Sequence, residues 1–98
     1  MSITLDLEAL LALIDGDQEC LDCLVEGEFL SPEEVRYEPE QIDLVLVAHT
    51  LVRELEVNWP GVEVVLRMRA ELLATRRQLR DLLDALRQHG PPRPGGEP

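Results

Sequence analysis

Two cysteines are the side chains of this sequence with the most versatile chemistry. Cys20 and Cys23 form a C-x-x-C pair, a spacing that occurs in redox motifs and in half of a zinc site. A structural zinc site needs four ligands, and the sequence has no second Cys pair and no His pair beside this one. We therefore interpret both thiols as small apolar residues packed in a core. A redox or metal sensor is kept as an alternative.

The two histidines offer no evident catalytic arrangement. His49 stands among apolar residues, and no Ser, Cys or acid in a recognisable pattern points to it as a base, so we interpret it as packed and hydrogen-bonded. His89 borders the C-terminal tail and is assigned no role. The sequence therefore predicts no catalytic residue, no metal and no cofactor, and the chain is not expected to be an enzyme.

Charge is the most informative bulk property, because it is distributed unevenly. Residues 1–58 hold 15 acids and two bases, a net charge of −13, whereas residues 59–98 hold five acids and seven bases, a net charge of +2. Lysine is absent. A surface this acidic repels nucleic acid and anionic membranes and attracts cationic partners.

Six carboxylates of the acidic half are candidates for a partner-binding surface on or beside the second and third predicted helices. They are Asp17, Glu19, Asp22, Glu26, Glu40 and Asp43. A single charged residue is usually solvated without a role, but a group of them complements a basic partner while apolar neighbours supply most of the affinity. The sequence leaves open which face is used.

The spacing of apolar residues predicts two short helices at the start of the chain. Leucines and isoleucine three and four apart predict a helix over residues 5–14, with Thr4 or Asp6 as its cap. A second helix is predicted over residues 19–25, after a turn that contains Gly16. Two short helices joined by such a turn are a candidate helix-turn-helix.

A third helix is predicted after a brief extended segment. Residues 35–37 are expected to form a wing, and Pro39 is expected to open the helix over residues 40–56. That helix is apolar on two faces, so we expect it to pack on the first two helices and on a second surface. The second surface is either the last helix or a partner protein.

A long last helix is predicted over residues 58–87. Asn58 is a suitable cap, Pro60 falls in the first turn, and no helix breaker follows Gly61 until Gly90. The helix is about 40 Å long, more than a domain of this size covers. Its heptad seam, interrupted at Thr75, is therefore expected to pair with a second copy as a coiled coil, making a homodimer. The seam consists of Val65, Met68, Leu72, Leu79, Leu82 and Leu86.

The chain thus divides into an acidic head over residues 1–57, the dimerisation helix over residues 58–89 and a Gly- and Pro-rich tail over residues 90–98, which is expected to be disordered. Such a small core benefits from oligomerisation. With no membrane span and no signal peptide in the sequence, we expect a cytoplasmic protein. Trp59 is interpreted as a packing anchor, with a partner-contact role as the alternative.

Three local runs and the order of the elements carry a resemblance to a known family. The runs are Phe29-Leu30-Ser31-Pro32 after the second helix, Arg36-Tyr37 in the wing, and Leu51-Val52-Arg53-Glu54-Leu55 before the last helix. Together with the order helix, turn, helix, wing, helix and long helix, they resemble the N-terminal part of MerR-type regulators. In those proteins a winged helix-turn-helix precedes a dimerising helix.

The run Asn58-Trp59-Pro60-Gly61 is the most specific mark and is similar to the CbpM family of chaperone modulators. The resemblance implies an all-α, MerR-like protein that binds the J domain of a DnaJ-like co-chaperone of the CbpA type. It would keep that co-chaperone from its Hsp70 partner, DnaK, and from acting on DNA. Such J domains dock on Hsp70 through a basic second helix, so an acidic helical surface is a suitable competitor.

The sequence departs from MerR-type regulators at the second helix. Those proteins carry an Arg there that approaches DNA, whereas this chain has Cys20-Leu21-Asp22-Cys23, and Glu28 separates Gly27 from Phe29 where the family commonly has Gly-Leu-Leu. Phosphate contacts need several Lys or Arg residues. A DNA-binding transcriptional regulator of the same fold is therefore the alternative function.

Overall fold

The structure, a computed structural model, describes residues 3–90 and is all-α in this range. Its four helices are α1 (Leu7–Leu13), α2 (Gln18–Glu26), α3 (Pro39–Arg53) and α4 (Trp59–His89). The predicted all-α class is confirmed. Within the described residues no helix combines the length and the apolar composition that crossing a lipid bilayer requires.

The segment that was expected to form a wing is a loop with one isolated bridge. Tyr37 and Leu5 exchange two antiparallel backbone hydrogen bonds, at 2.8 and 3.1 Å. Between residues 3 and 90 no regular strand forms around this bridge. The bridge nevertheless holds the loop that leads into α3 against the start of the chain.

The chain divides into two units, Met1–Leu66, which we call the head, and Arg67–Pro98, which we call the second unit. The boundary lies inside α4 and not before it, because Val62 and Leu66 are buried in the core of the head. The predicted tail over residues 90–98 lies outside the described residues apart from Gly90.

Side-chain caps set the starts of three helices. Asp6, Asp17 and Asn58 each accept a hydrogen bond from the backbone N–H three residues further on, at 2.9, 3.2 and 2.9 Å. Such a bond satisfies one of the N–H groups that a helix start leaves without a partner. Asn58 was predicted as a cap and Asp6 as one of two alternatives with Thr4, whereas Asp17 was assigned to the acidic surface.

The core of the head is aliphatic and draws on all four helices. Its buried members include Leu10 and Ile14 near α1, Leu24 in α2 and Val45 in α3, all fully buried. Leu21 of α2 is buried as well, whereas Val25 is half-buried. The head therefore has one core to which α1, α2, α3 and the start of α4 all contribute.

The end of α2 explains the unusual order of Gly27 and Glu28. The N–H of Phe29 donates to the carbonyl of Leu24 at 2.9 Å and that of Glu28 to Val25 at 3.0 Å, which is the Schellman pattern. Glu28 takes the left-handed position, with φ of 65°. At Gly27 the contact is steric, since a Cβ there would lie 3.1 Å from the Phe29 ring, which would have to shift by a few tenths of an ångström.

The Asn-Trp-Pro-Gly run is a compact helix start. Asn58 caps α4 through the N–H of Gly61, and a Cβ on Gly61 would lie 2.8 Å from Cγ1 of Val57. That separation is shorter than side chains tolerate. Trp59 packs partly buried against the core of the head, which agrees with its interpretation as a packing anchor.

Candidate partner-binding surface

One side of α2 presents a row of carboxylates. Glu19, Asp22 and Glu26 are all exposed, and their spacing of three and then four residues places them on the same side of the helix. Asp22 accepts a hydrogen bond from Nε2 of Gln18 at 3.0 Å, one turn earlier. These three predicted residues therefore form one acidic row that faces solvent.

A groove of about 340 Å³ lies between α2, the first residue of α1 and the loop that leads to α3. Leu21, Leu30 and Tyr37, which are buried, form its floor. Leu7, 44% exposed, and the half-buried Val25 lie along it. The groove therefore offers an apolar surface beside the acidic row, and we call it the α2 groove.

Three carboxylates border the α2 groove. Asp22 and Glu26 belong to the acidic row, and Glu34 comes from the loop. Glu34 accepts a hydrogen bond from Nε2 of Gln41 at 2.6 Å, which holds its carboxylate in place. Burial, and secondarily the negative charge of Glu34, raise the pKa of the Tyr37 phenol. The groove thus pairs an apolar floor with an anionic rim.

A second cleft, of about 400 Å³, lies where the end of α2 meets the start of α4. Cys23, Glu26 and Trp59 are among its lining residues. Burial is the main cause that raises the pKa of the Cys23 thiol, and the carboxylates of Glu19 and Glu26 add to it. The second cleft therefore shares the negative potential of the acidic row.

The six predicted partner-binding carboxylates are not brought to one place. Asp22 and Glu26 line the α2 groove, and Glu19 continues their row. Glu40 and Asp43 are exposed on α3 and do not line the groove. Glu34 was missed, because only the folding of the loop beside α2 brings it there, and no pattern in its own segment signals it.

Asp17 is not part of the acidic row. Its Oδ2 lies 3.2 Å from Nδ1 of His49, and both side chains are largely buried, at 21% and 15% exposure. The Sγ of the buried Cys20 completes a group whose donor atoms all lie within 4.8 Å of one another. His49 is hydrogen-bonded as predicted, but the acid and cysteine that the sequence did not associate with it are its neighbours in space.

The two cysteines differ in their surroundings. Cys20 is buried in the core, and desolvation, with a smaller contribution from the Asp17 carboxylate, raises its pKa to about 12. Cys23 is only half-buried and lines the second cleft. Both are free thiols. The prediction of packed apolar cysteines describes Cys20 and fits Cys23 less well.

The predicted dimerisation seam of α4 is largely exposed. Its members Val65, Met68, Leu72, Leu79 and Leu82 are between 37% and 63% exposed, and Leu86 is half-buried. Thr75, which interrupts the seam, donates its hydroxyl to the carbonyl of Glu71 at 3.0 Å and so satisfies its polar group within the helix. The seam therefore presents apolar side chains to solvent over several turns.

No protein-family model, curated protein or solved structure matches this chain.

Proposed function

We propose that this chain is a chaperone modulator of the CbpM family, which binds the J domain of a DnaJ- or CbpA-like co-chaperone and blocks its engagement of the Hsp70 chaperone DnaK. The observation that carries the proposal is the α2 groove. Its apolar floor and its rim of Asp22, Glu26 and Glu34 complement a basic amphipathic helix. The resemblance of the Asn-Trp-Pro-Gly run to the CbpM family suggests that the partner is a J domain.

The size of the α2 groove defines how such a helix would bind. A volume of about 340 Å³ is at the lower end for ligand pockets, and an α-helix with its side chains is about 10 Å wide. The groove therefore accepts apolar side chains of the partner, while the helix itself lies across the surface. In that pose the partner's Lys and Arg side chains meet the carboxylates at the rim.

Affinity and specificity then come from different groups. The apolar floor supplies the desolvated contacts that dominate binding energy, whereas the acidic row speeds encounter and sets the register. The net charge of −13 over residues 1–58 extends this attraction beyond direct contact. Binding occludes the basic surface that the co-chaperone needs for DnaK, so inhibition is by steric and electrostatic competition.

The finer fold is part of the same proposal. We assign α1, the turn and α2 to a helix-turn-helix of MerR type, supported by the short turn with Gly16 at φ of 74°. The loop bridged to Leu5 takes the place of the wing. A DNA-binding regulator is not favoured, because α2 presents Glu19, Asp22 and Glu26 where phosphate contacts require Lys or Arg.

We further propose that the chain is a homodimer through the seam of α4. Exposed leucines at heptad spacing are the knobs of a coiled coil, and pairing two copies removes them from water. Arginines and acids flank the seam. One such pair is an ion pair within the helix, in which Nη1 of Arg87 lies 3.6 Å from Oδ1 of Asp84. A dimer would present two α2 grooves.

The proposed function is tested with a purified J domain of the CbpA type and a variant that keeps the groove but removes two of its three carboxylates. Asp22→Asn with Glu26→Gln should weaken binding about tenfold at low salt, mostly through slower association. The matched control, Glu54→Gln with Glu56→Gln, removes the same charge at the end of α3, away from the groove, and should bind nearly as the wild type. Affinity is measured by titration calorimetry and rates by surface plasmon resonance.

Two further measurements separate the apolar from the electrostatic contribution to J-domain binding. Raising the salt concentration from about 0.05 to about 0.5 M shortens the Debye screening length from about 14 to about 4 Å and should weaken wild-type binding. Leu7→Ser, at an exposed apolar position of the groove, should weaken binding at both salt concentrations. Absence of J-domain binding at low salt would refute the function, and equal loss in the groove and control variants would refute the site.

A further inference from the structure

We propose that Asp17, Cys20 and His49 form a binding site for one zinc ion, which joins the start of α2 to α3. Two of the residues lie one turn apart at the start of α2, and the third lies in α3. One carboxylate oxygen, one thiol sulfur and one imidazole nitrogen are gathered so that all three atoms lie within 4.8 Å of one another. Neither the acidic row nor the α2 groove requires this cluster.

The distances are close to those that tetrahedral zinc imposes. Zinc binds sulfur at about 2.3 Å and nitrogen or oxygen at about 2.0 to 2.2 Å, which keeps neighbouring donor atoms about 3.3 to 3.7 Å apart. Oδ2 of Asp17 and Nδ1 of His49 are already 3.2 Å apart. The Sγ of Cys20 therefore needs to approach by no more than about 1.5 Å, a shift within the reach of a side-chain rotation.

The set of donors favours zinc over other common ions. Thiolate and imidazole ligands suit zinc, whereas magnesium and calcium require oxygen ligands throughout. Three protein ligands leave the fourth position to water, so the lack of a second Cys pair in the sequence does not exclude such a site. Binding deprotonates the Cys20 thiol, and the released proton passes to solvent.

Asp17 can serve both the helix and the ion. Oδ1 of its carboxylate accepts the N–H of Cys20 at 3.2 Å and caps α2, while Oδ2 is directed to His49. An ion bound at Oδ2 therefore leaves the cap intact. The ion would also neutralise charge between α2 and α3, and it would stabilise the folded head because the unfolded chain does not assemble the three ligands.

Cobalt(II) is the probe, because a thiolate bound to it gives a charge-transfer absorption in the near ultraviolet. The wild type, reduced and free of metal, is titrated with Co²⁺ alone and then with Zn²⁺. We expect one Co²⁺ per chain, thiolate absorption, and its loss when Zn²⁺ displaces the cobalt. Zn²⁺ should also raise the midpoint of thermal unfolding of the wild type.

Variants identify the ligands. Cys20→Ala should abolish the thiolate absorption, and Asp17→Asn, which retains a good helix cap, should weaken binding more than about tenfold, as should His49→Gln. Cys23→Ser is the matched control and should bind like the wild type. Circular dichroism checks that each variant is folded. If Cys20→Ala does not fold, Asp17→Asn still tests the site.

Two results would overturn the proposal. The first is a wild-type chain that gives no saturable cobalt absorption and no thermal shift with Zn²⁺. The second is absorption that persists in Cys20→Ala or disappears in Cys23→Ser, which would locate the thiolate ligand outside the cluster.

Discussion

Among the described residues, every buried apolar side chain lies in the head, and the second unit has none. Leu10, Ile14 and Leu24 of the head are fully buried, whereas Leu72 and Leu79 of the second unit are 51% and 56% exposed. Both units are helical and both draw on leucine. In the head these side chains belong to one core to which all four helices contribute, whereas the described part of the second unit consists of one segment of α4.

The two units also differ in the sign of their net charge. Residues 3–66 hold 16 acids and two bases, and residues 67–90 hold three acids and six bases. A strongly acidic head is suited to a basic partner, whereas residues 67–90, with a net charge of +3 and interspersed signs, permit two copies to approach with much less repulsion than the head would. This difference supports the two proposals made above, a cationic protein as the partner of the head and a second copy of the chain as the partner of the seam.

The largest expected effect is the loss of the proposed dimer. Leu72→Glu with Leu79→Glu places four carboxylates in the seam of a dimer, so association should weaken about 1000-fold or more. Sedimentation velocity should then show monomers with a folded head. The control, Ala70→Glu with Ala74→Glu, adds the same charge off the seam and should remain dimeric. A dimer that survives the Leu72 and Leu79 changes would place the subunit contact elsewhere.

A core truncation in the head should have the next largest effect. Leu24→Ala removes a fully buried side chain and should lower the free energy of unfolding by about 2 to 5 kcal/mol. Leu83→Ala, at a position 45% exposed in the second unit and outside the six seam residues, should lower it by less than about 1 kcal/mol. Urea denaturation followed by circular dichroism measures both. Equal losses would show that the second unit is packed as tightly as the head.

A smaller loss is expected at the start of α4. Gly61→Ala should destabilise the head by about 1 to 2 kcal/mol, because the new methyl group would lie 2.8 Å from Cγ1 of Val57. The same substitution in a Val57→Ala background should cost clearly less, since the clashing methyl group is then absent. Chemical denaturation of the four proteins in this cycle gives the coupling. Additive costs would mean that the contact with Val57 is not the reason for glycine.

The smallest effect is a gain. Glu28→Gly should stabilise the head by about 0.5 to 1 kcal/mol, because Glu28 has φ of 65°, where glycine meets no steric penalty from a Cβ. Glu33→Gly, a loop residue without positive φ, is the control and should not stabilise. Thermal and urea unfolding report the change. A loss of stability in Glu28→Gly would show that its side chain contributes more than its backbone costs.

The helices of this chain were predictable because their signals are local. Asp6 and Asn58 were identified as caps, Pro39 as the opening of α3 and the seam of α4 as a regular heptad, all from residues within a few positions of one another. The main error of extent was α3, which ends at Arg53 and so leaves Leu55 outside the helix. Glu56 with positive φ interrupts the helix there, and no Gly marks the turn.

The candidate site was only half predictable. Asp22 and Glu26 stand out as part of an acidic run, but the apolar floor of the α2 groove is assembled from α2 and the loop that also supplies Glu34. The same holds for Asp17 and His49, whose side chains meet across 32 positions of sequence. Contacts between distant segments depend on how the helices pack, and a helical period contains no information about that.

By itself, the sequence determined the all-α class, the uneven charge, the starts of α3 and α4 and the apolar seam of α4. Periodicity, capping and charge are properties of a residue and its near neighbours, so they persist whatever the packing. Only the tertiary structure decided that Val62 and Leu66 belong to the head, that Asp17 turns from the acidic row to His49, and that Glu34 joins the groove. These outcomes depend on which apolar faces cover one another, and burial is a property of the whole fold.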